Sequence, residues 1–253
     1  MAFVPSVGDA LVLEGVTRMF GALRAIEDVS FSVAAGERRA VIGANGAGKT
    51  TLFNVITGDF PATSGRVLFF GDDVTLQPPF ERIRAGLRRT YQSSLLFREL
   101  SVRDNLYLAV RGVTRKRFSF LRERQNRQAE ELLDRVRLRP VADQPVSSLS
   151  HGQQRQLEIG MALAGAPRMI LFDEPAAGLS PGERAELVAL LRGLPSHMGF
   201  VLIEHDLDIA LRVVSRVTVM HNGRLLKEGT PEEIENDPQV QAIYMGETRG
   251  EKH

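Results

Sequence analysis

The chain has 253 residues, 43% of them hydrophobic, and a formal net charge of +1. That length can bury the core of one α/β domain with a subdomain, and the near-neutral charge gives no general drive toward nucleic acid or an anionic membrane. Cysteine is absent, which excludes disulfides, thiol nucleophiles and thiolate metal sites and fits a cytosolic protein. Residues 1–10 show no signal-peptide pattern, and no run approaches the roughly 18 apolar residues that span a bilayer.

Residues 11–20 and 29–33 alternate apolar and polar, with Val29, Phe31 and Val33 on one face, and predict antiparallel strands. Phe20-Gly21 closes the first. Phe20 there either packs into the core or stacks on an adenine face. Residues 39–42 read as a short buried strand, and residues 52–58 as a helix with Leu52, Val55 and Ile56 on one face and Gly58 as its stop. Between them, Gly43-Ala44-Asn45-Gly46-Ala47-Gly48-Lys49-Thr50-Thr51 fits Gly-x4-Gly-Lys-[Ser/Thr] without exception. Glycines let successive N–H groups close on a phosphate chain, and the helix start adds partial positive charge. Lys49 supplies a point charge for the β- and γ-phosphates, and Thr50 offers a hydroxyl to Mg2+. A chance glycine-rich turn would not need the strand–loop–helix setting that this stretch has.

Residues 66–70 predict a further strand, closed by Gly71-Asp72-Asp73. From about residue 78 to 140 the pattern turns helical. Ile83 and Leu87, then Leu106, Leu108 and Val110, then Leu132, Leu133 and Val136 are read as helix faces of a subdomain inserted into the α/β core. Residues 111–127 carry seven basic side chains against one acid, Glu123. They form either a solvated helix face or a patch for membrane headgroups or a membrane partner. Leu149-Ser150-His151-Gly152-Gln153-Gln154 opens a helix with Ser150 as N-cap, and the exposed Ser, Gly and Gln make a second potential phosphate site.

Residues 169–172 form an apolar run fit for a central parallel strand, ending in Asp173-Glu174-Pro175. In a nucleotide enzyme the first carboxylate can hold Mg2+ and the second can activate water. Residues 200–203 repeat the arrangement and lead into Glu204-His205-Asp206; a histidine at the end of a parallel strand is placed to contact a γ-phosphate. Residues 217–220 and 224–227 predict a hairpin, followed by a short helix capped by Thr230 with Pro231 at its first position. Residues 247–253 are expected to be a loose tail.

Phe20, the loop ending Lys49-Thr50-Thr51, Arg89-Thr90-Tyr91-Gln92, Leu149-Ser150-His151-Gly152-Gln153, Leu171-Phe172-Asp173-Glu174-Pro175 and Ile203-Glu204-His205-Asp206 together resemble the ATP-binding subunit of an ABC transporter. The resemblance spans about residues 11–246. It implies a P-loop NTPase (RecA-like) α/β core at about 11–92 and 160–246, with an N-terminal antiparallel β subdomain and a helical signature subdomain at about 93–159. It also implies two subunits sandwiching two ATP molecules. The nucleotide would touch Phe20, Gly43, Asn45, Gly46, Ala47, Gly48, Lys49, Thr50 and Thr51 of one subunit and Ser150, Gly152 and Gln153 of the other. Mg2+ would take Thr50, Gln92 and Asp173; Glu174 would be the general base, with His205 and Gln92 beside the attacking water. His151 replaces the first glycine of the usual Leu-Ser-Gly-Gly-Gln, and Ser180 stands where aspartate is frequent.

Residues 151–159, 175–179 and 240–246 look like the subgroup that powers uptake of branched-chain and other hydrophobic amino acids. That implies permease partners, a second ATPase subunit, identical or paralogous, a substrate-binding protein, and a place on the cytoplasmic face of the membrane. Related subunits serve urea or amide import or lipopolysaccharide export, and a soluble nucleotide-driven switch shares the same chemistry. The 101 positions between Lys49 and Ser150 leave no room for the long coiled coil of chromosome-maintenance ATPases.

Overall fold

The computed structural model describes residues 8–90, 96–113 and 120–243. Two β-strands open the fold, β1 (Asp9–Phe20) and β2 (Leu23–Ala34), paired antiparallel. β3 (Arg38–Ile42) runs into the glycine-rich loop and α1 (Lys49–Thr57), which Gly58 stops in the left-handed conformation. β4 (Ser64–Phe69) and β5 (Asp72–Asp73) complete a four-stranded sheet in the order β2-β1-β4-β5. The register is set by alternation, with Val29, Phe31 and Val33 fully buried on one face.

The predicted helix face through Ile83 and Leu87 is a correction. α2 (Pro79–Ala85) ends at Gly86, and Leu87 begins β6 (Leu87–Arg89), which pairs parallel with a later strand. Three residues with two arginines carry no alternation, and only the neighbouring strand defines them. α3 (Val102–Val113), α4 (Phe120–Arg135) and α5 (His151–Ala162) follow. Leu106, Val110, Leu132, Leu133 and Val136 are buried as expected, but Leu108 is exposed, because two residues advance a helix by about 200°.

β7 (Met169–Asp173), α6 (Pro181–Arg192), β8 (Gly199–Ile203), α7 (Leu207–Val213), β9 (Arg216–His221), β10 (Arg224–Gly229) and α8 (Pro231–Glu235) follow, and residues 238–243 are again helical. The second sheet has the order β10-β9-β3-β8-β7-β6, parallel except for the β9–β10 hairpin. Its central strands are buried on both faces, and period two divides them between two cores. Ile42, Phe172, Phe200 and Leu202 join Leu106, Leu133 and Leu157 from the helices. Val41, Leu171, Val201 and Ile203 join Phe31, Phe53 and Phe69 from the first sheet and α1. β3, β7 and β8 are parallel neighbours, so Gly43, Glu174 and Glu204 all lie just past the carboxyl ends of their strands, where open α/β sheets bind ligands.

Candidate active site

Gly43 and Gly48 fix the glycine-rich loop for different reasons of space. A Cβ on Gly43 (φ +152°) would stand 2.2 Å from the Met220 carbonyl oxygen, and one on Gly48 (φ +96°) 2.6 Å from that of Ala25. The loop is pressed between the start of β2 and the β9–β10 hairpin. The hairpin turn stitches them together: Gly223 N–H donates to Ala47 O at 3.1 Å, and Glu27 N–H to Gly223 O at 2.8 Å. Gly48 is the N-cap of α1, and no side chain caps that helix. Its first N–H groups therefore need acceptors from elsewhere, and a phosphate oxygen is a suitable one. Lys49 Nζ donates to the loop carbonyls of Gly43 and Ala44 at 2.5 and 2.9 Å, so the ammonium is held at the loop's centre.

A cleft of about 550 Å³ opens over this loop. Among the expected residues it brings together Phe20, Asn45, Gly46, Ala47, Gly48, Lys49, Thr50, Thr51, Glu174 and His205. Leu23, Arg24, Ala25, Asn222 and Gly223 also line it and were not foreseen. Their only signal in the sequence was membership of a turn or strand end; the packing of two hairpins against the loop brings them there. Core packing of Phe20 is overturned: the residue is 39% exposed. Phe60 meets its ring edge-on at 5.3 Å, and the Arg18 guanidinium lies 4.5 Å from the ring centre. The ring is thus held in place while remaining open to a ligand.

Glu174 takes φ +49°, a left-handed conformation that costs a residue with a Cβ about 1 kcal/mol or more. The turn is tied by Glu174 N–H to Ile203 O at 2.9 Å, and Glu174 Oε1 lies 2.6 Å from His205 Nε2. His205 therefore faces Glu174 directly. Asp173 is 1% exposed and lies behind the cleft; Arg89 donates to its Oδ2 at 2.6 Å and to Asn54 Oδ1 at 2.5 Å. Asp173 Oδ1 is buried with no hydrogen-bond partner among the described residues. An orphaned carboxylate oxygen on the residue before Glu174, which lines the cleft, fits a divalent cation, since Mg2+ typically takes one or two carboxylates plus phosphate and water oxygens. Among the described residues no three His, Cys, Asp or Glu side chains cluster as a protein-only metal cage. Gln92 lies outside the described residues.

Ser150, Gly152 and Gln153 do not line this cleft. They begin α5 in a capping box: Gln153 N–H donates to Ser150 Oγ at 3.2 Å, and Ser150 N–H to Gln153 Oε1 at 2.9 Å. The expectation that this helix start is wholly exposed is corrected, because Gly152 is buried beneath Glu183. Glu183 Oε1 accepts the Gly152 N–H at 2.9 Å, and its Oε2 accepts from Ser180 N at 2.9 Å and Ser180 Oγ at 2.8 Å. One carboxylate thus bridges two helix starts, and the bonds from Ser180 and Gly152 hold its pKa below the usual glutamate value. Ser180, noted only for replacing aspartate, is the N-cap of α6.

The ABC transporter family profile matches residues 26–177, and that of the branched-chain amino acid ATP-binding cassette transporters matches residues 226–249. The high-affinity branched-chain amino acid transport ATP-binding proteins BraF of Pseudomonas aeruginosa and LivG of Escherichia coli are each similar at 36% identity, over 94% of this chain and 98% of theirs. A nucleotide-free ATP-binding cassette from an ABC transporter superposes with a TM-score of 0.83 at 34% identity, covering 93% of this chain and 98% of that one. A cassette solved in its ADP conformation gives 0.82 at 33% identity, covering 94% and 99%.

Proposed function

The chain belongs to the ABC transporter family, and from that premise we propose that it is the ATP-hydrolysing motor subunit of an importer for branched-chain or other hydrophobic amino acids. The match over residues 226–249 carries the choice of cargo class. None of its described residues, 226–243, lines the nucleotide cleft, so shared ATP chemistry does not account for that part of the match. The whole chain is read as one ATPase domain with its helical subdomain at about 93–159.

In this reading ATP lies over the glycine-rich loop. Its phosphates take the N–H groups at the start of α1, and Lys49 turns from the Gly43 and Ala44 carbonyls to the β- and γ-phosphates. Phe20 stacks on the base. Thr50 and Asp173, with Gln92, would hold Mg2+, which neutralises charge on the β- and γ-phosphate oxygens. Glu174 takes a proton from the attacking water, and His205, donating to Glu174 Oε1, holds the carboxylate with one lone pair aimed at that water. Ser150, Gly152 and Gln153 are assigned to the nucleotide of a second ATPase subunit; all three lie outside the chain's own cleft, and Gly152 has first to part from Glu183, which takes its N–H.

Among the described residues no helix is long and apolar enough to cross a membrane. The crossing is assigned to permease subunits, with this chain on their cytoplasmic face and a substrate-binding protein delivering cargo on the other side. The groove in which Ile83, Leu96, Ala109, Val113 and Met161 lie beside Arg88, Arg89 and Glu158 is the surface assigned to a permease loop. Purification of the tagged chain from native membranes in mild detergent, with partners identified by mass spectrometry, tests the assignment. Two multi-spanning permeases and a second ATPase are expected. A lipid-export complex would reverse the direction of transport, and the chain alone in the soluble fraction would sink the transporter reading.

A further inference from the structure

Glu204 is 2% exposed just past the end of β8, yet it is a carboxylic acid. Its Oε1 accepts the Ala176 N–H at 2.7 Å, and the backbone N–H of His205 faces the same carboxylate. It therefore joins the turn after Glu174 to the strand end that bears His205. Burying a carboxylate is costly, and a neutral side chain would serve packing better. Such a departure is expected where function, not stability, sets the residue.

We propose that Glu204 is a positioning residue for ATP hydrolysis, its ionised carboxylate holding the strained Glu174 turn and the His205 backbone in one fixed relation. This rests on the ATPase reading above. Glu174 is gripped from two successive residues: Glu204 fixes the turn through Ala176, and His205 fixes the side chain at 2.6 Å. Protonated Glu204 would turn a hydroxyl toward one of its two N–H donors and give up that bond, so the turn loosens when the acid is neutral. Burial pushes its pKa up to about 7, against the two backbone bonds that lower it and with Glu174 and Asp206 raising it further. The adjoining residue His205 is also titratable, and Arg184 pairs with Asp206 at 2.9 Å. The hold is thus set to engage as pH rises through neutrality, and Gln at this position would copy the loosened state at every pH.

The test is steady-state ATP hydrolysis by the purified complex from pH 5.5 to 9, wild type against Glu204→Gln. A misplaced general base predicts a fall in kcat of about tenfold or more, with the ATP KM within about twofold and the acid limb near pH 7 flattened in the variant. An unchanged kcat, a loss confined to KM, or an acid limb that persists in Glu204→Gln at the same midpoint would overturn the proposal. Amide exchange on the wild-type complex gives a second measure that needs no variant. Protection of the 174–177 segment against local opening that leaves Glu204 buried, corrected for intrinsic exchange and taken relative to core amides of β7 and β8, should fall as pH drops through 7, and constant relative protection would refute the hold. A wild-type complex without any ATP hydrolysis would instead count against the ATPase reading on which the inference rests.

Discussion

Ser150→Ala separates what the start of α5 does for its own fold from what it does for a second subunit. In the fold, Ser150 Oγ accepts one cap bond, from Gln153 N–H at 3.2 Å, and lies 3.5 Å from Glu183 Oε1. The reciprocal bond from Ser150 N–H to Gln153 Oε1 survives the change. Losing a serine cap costs about 1 kcal/mol, which for a chain of this size lowers Tm by about 2–4 °C. Ser150 does not line the cleft over Lys49, so ATP affinity of the isolated subunit should stay within about twofold. Across a subunit sandwich the same hydroxyl would donate to the partner nucleotide's γ-phosphate. A charge-assisted bond of that kind contributes about 1.5–3 kcal/mol, so hydrolysis should fall by roughly 10- to 150-fold. Thermal melting, nucleotide titration of the isolated subunit and steady-state hydrolysis measure the three quantities separately. Hydrolysis unchanged beside the expected melting shift would refute the contact in trans. An equal loss of ATP affinity in the isolated subunit would place the contact within one chain.

Three other perturbations have defined outcomes. The folded-state pKa of Glu204, about 7, lies above the ordinary glutamate value of 4.5, so its ionisation disfavours the fold: the penalty is absent below pH 4.5, grows to pH 7 and is constant above. Wild type should lose about 2–3 kcal/mol more stability than Glu204→Gln between pH 5 and 8, and denaturant unfolding at the two pH values would contradict this if the two proteins ran parallel. Lys49→Ala removes a side chain whose nitrogen donates to the Gly43 and Ala44 carbonyls; the fold should persist while the thermal shift induced by ATP disappears, and a retained shift would deny Lys49 its phosphate role. Phe172→Ala opens a cavity beside Phe200, whose ring centre is 5.5 Å away, and should cost about 3–5 kcal/mol in unfolding experiments, a loss under 1 kcal/mol being inconsistent with this packing.

Elements with a local cause were legible in the sequence. The loop before α1, the apolar strands β7 and β8, the β9–β10 hairpin and the Ser150 and Thr230 caps all follow from residue type and spacing within a few positions. What escaped was set by partners distant in the chain. β6 is a strand only because β7 lies beside it. Leu108 copied a strand's period inside a helix. Phe20 stays open because Phe60, 40 positions on, meets its ring edge-on while Arg18 of the same strand lies over it. Glu183 was not singled out in the sequence, and its reach to Gly152, 31 positions back, had no local signal. Glu204 stood in plain view between Ile203 and His205, but neither its burial nor its bond to Ala176 can be read from a strand end.

The left-handed backbone at Glu174 sets two kinds of selection against each other. Glycine there would shed the conformational strain along with the carboxylate. With Glu174 as the proposed general base, a search for variants by yield or melting temperature would favour chains that fold more readily and hydrolyse little ATP, whereas one scored on transport would keep the awkward residue. At this one position, robustness of the folded chain and usefulness of the motor pull in opposite directions, and thermostability alone is a misleading guide to improving the protein.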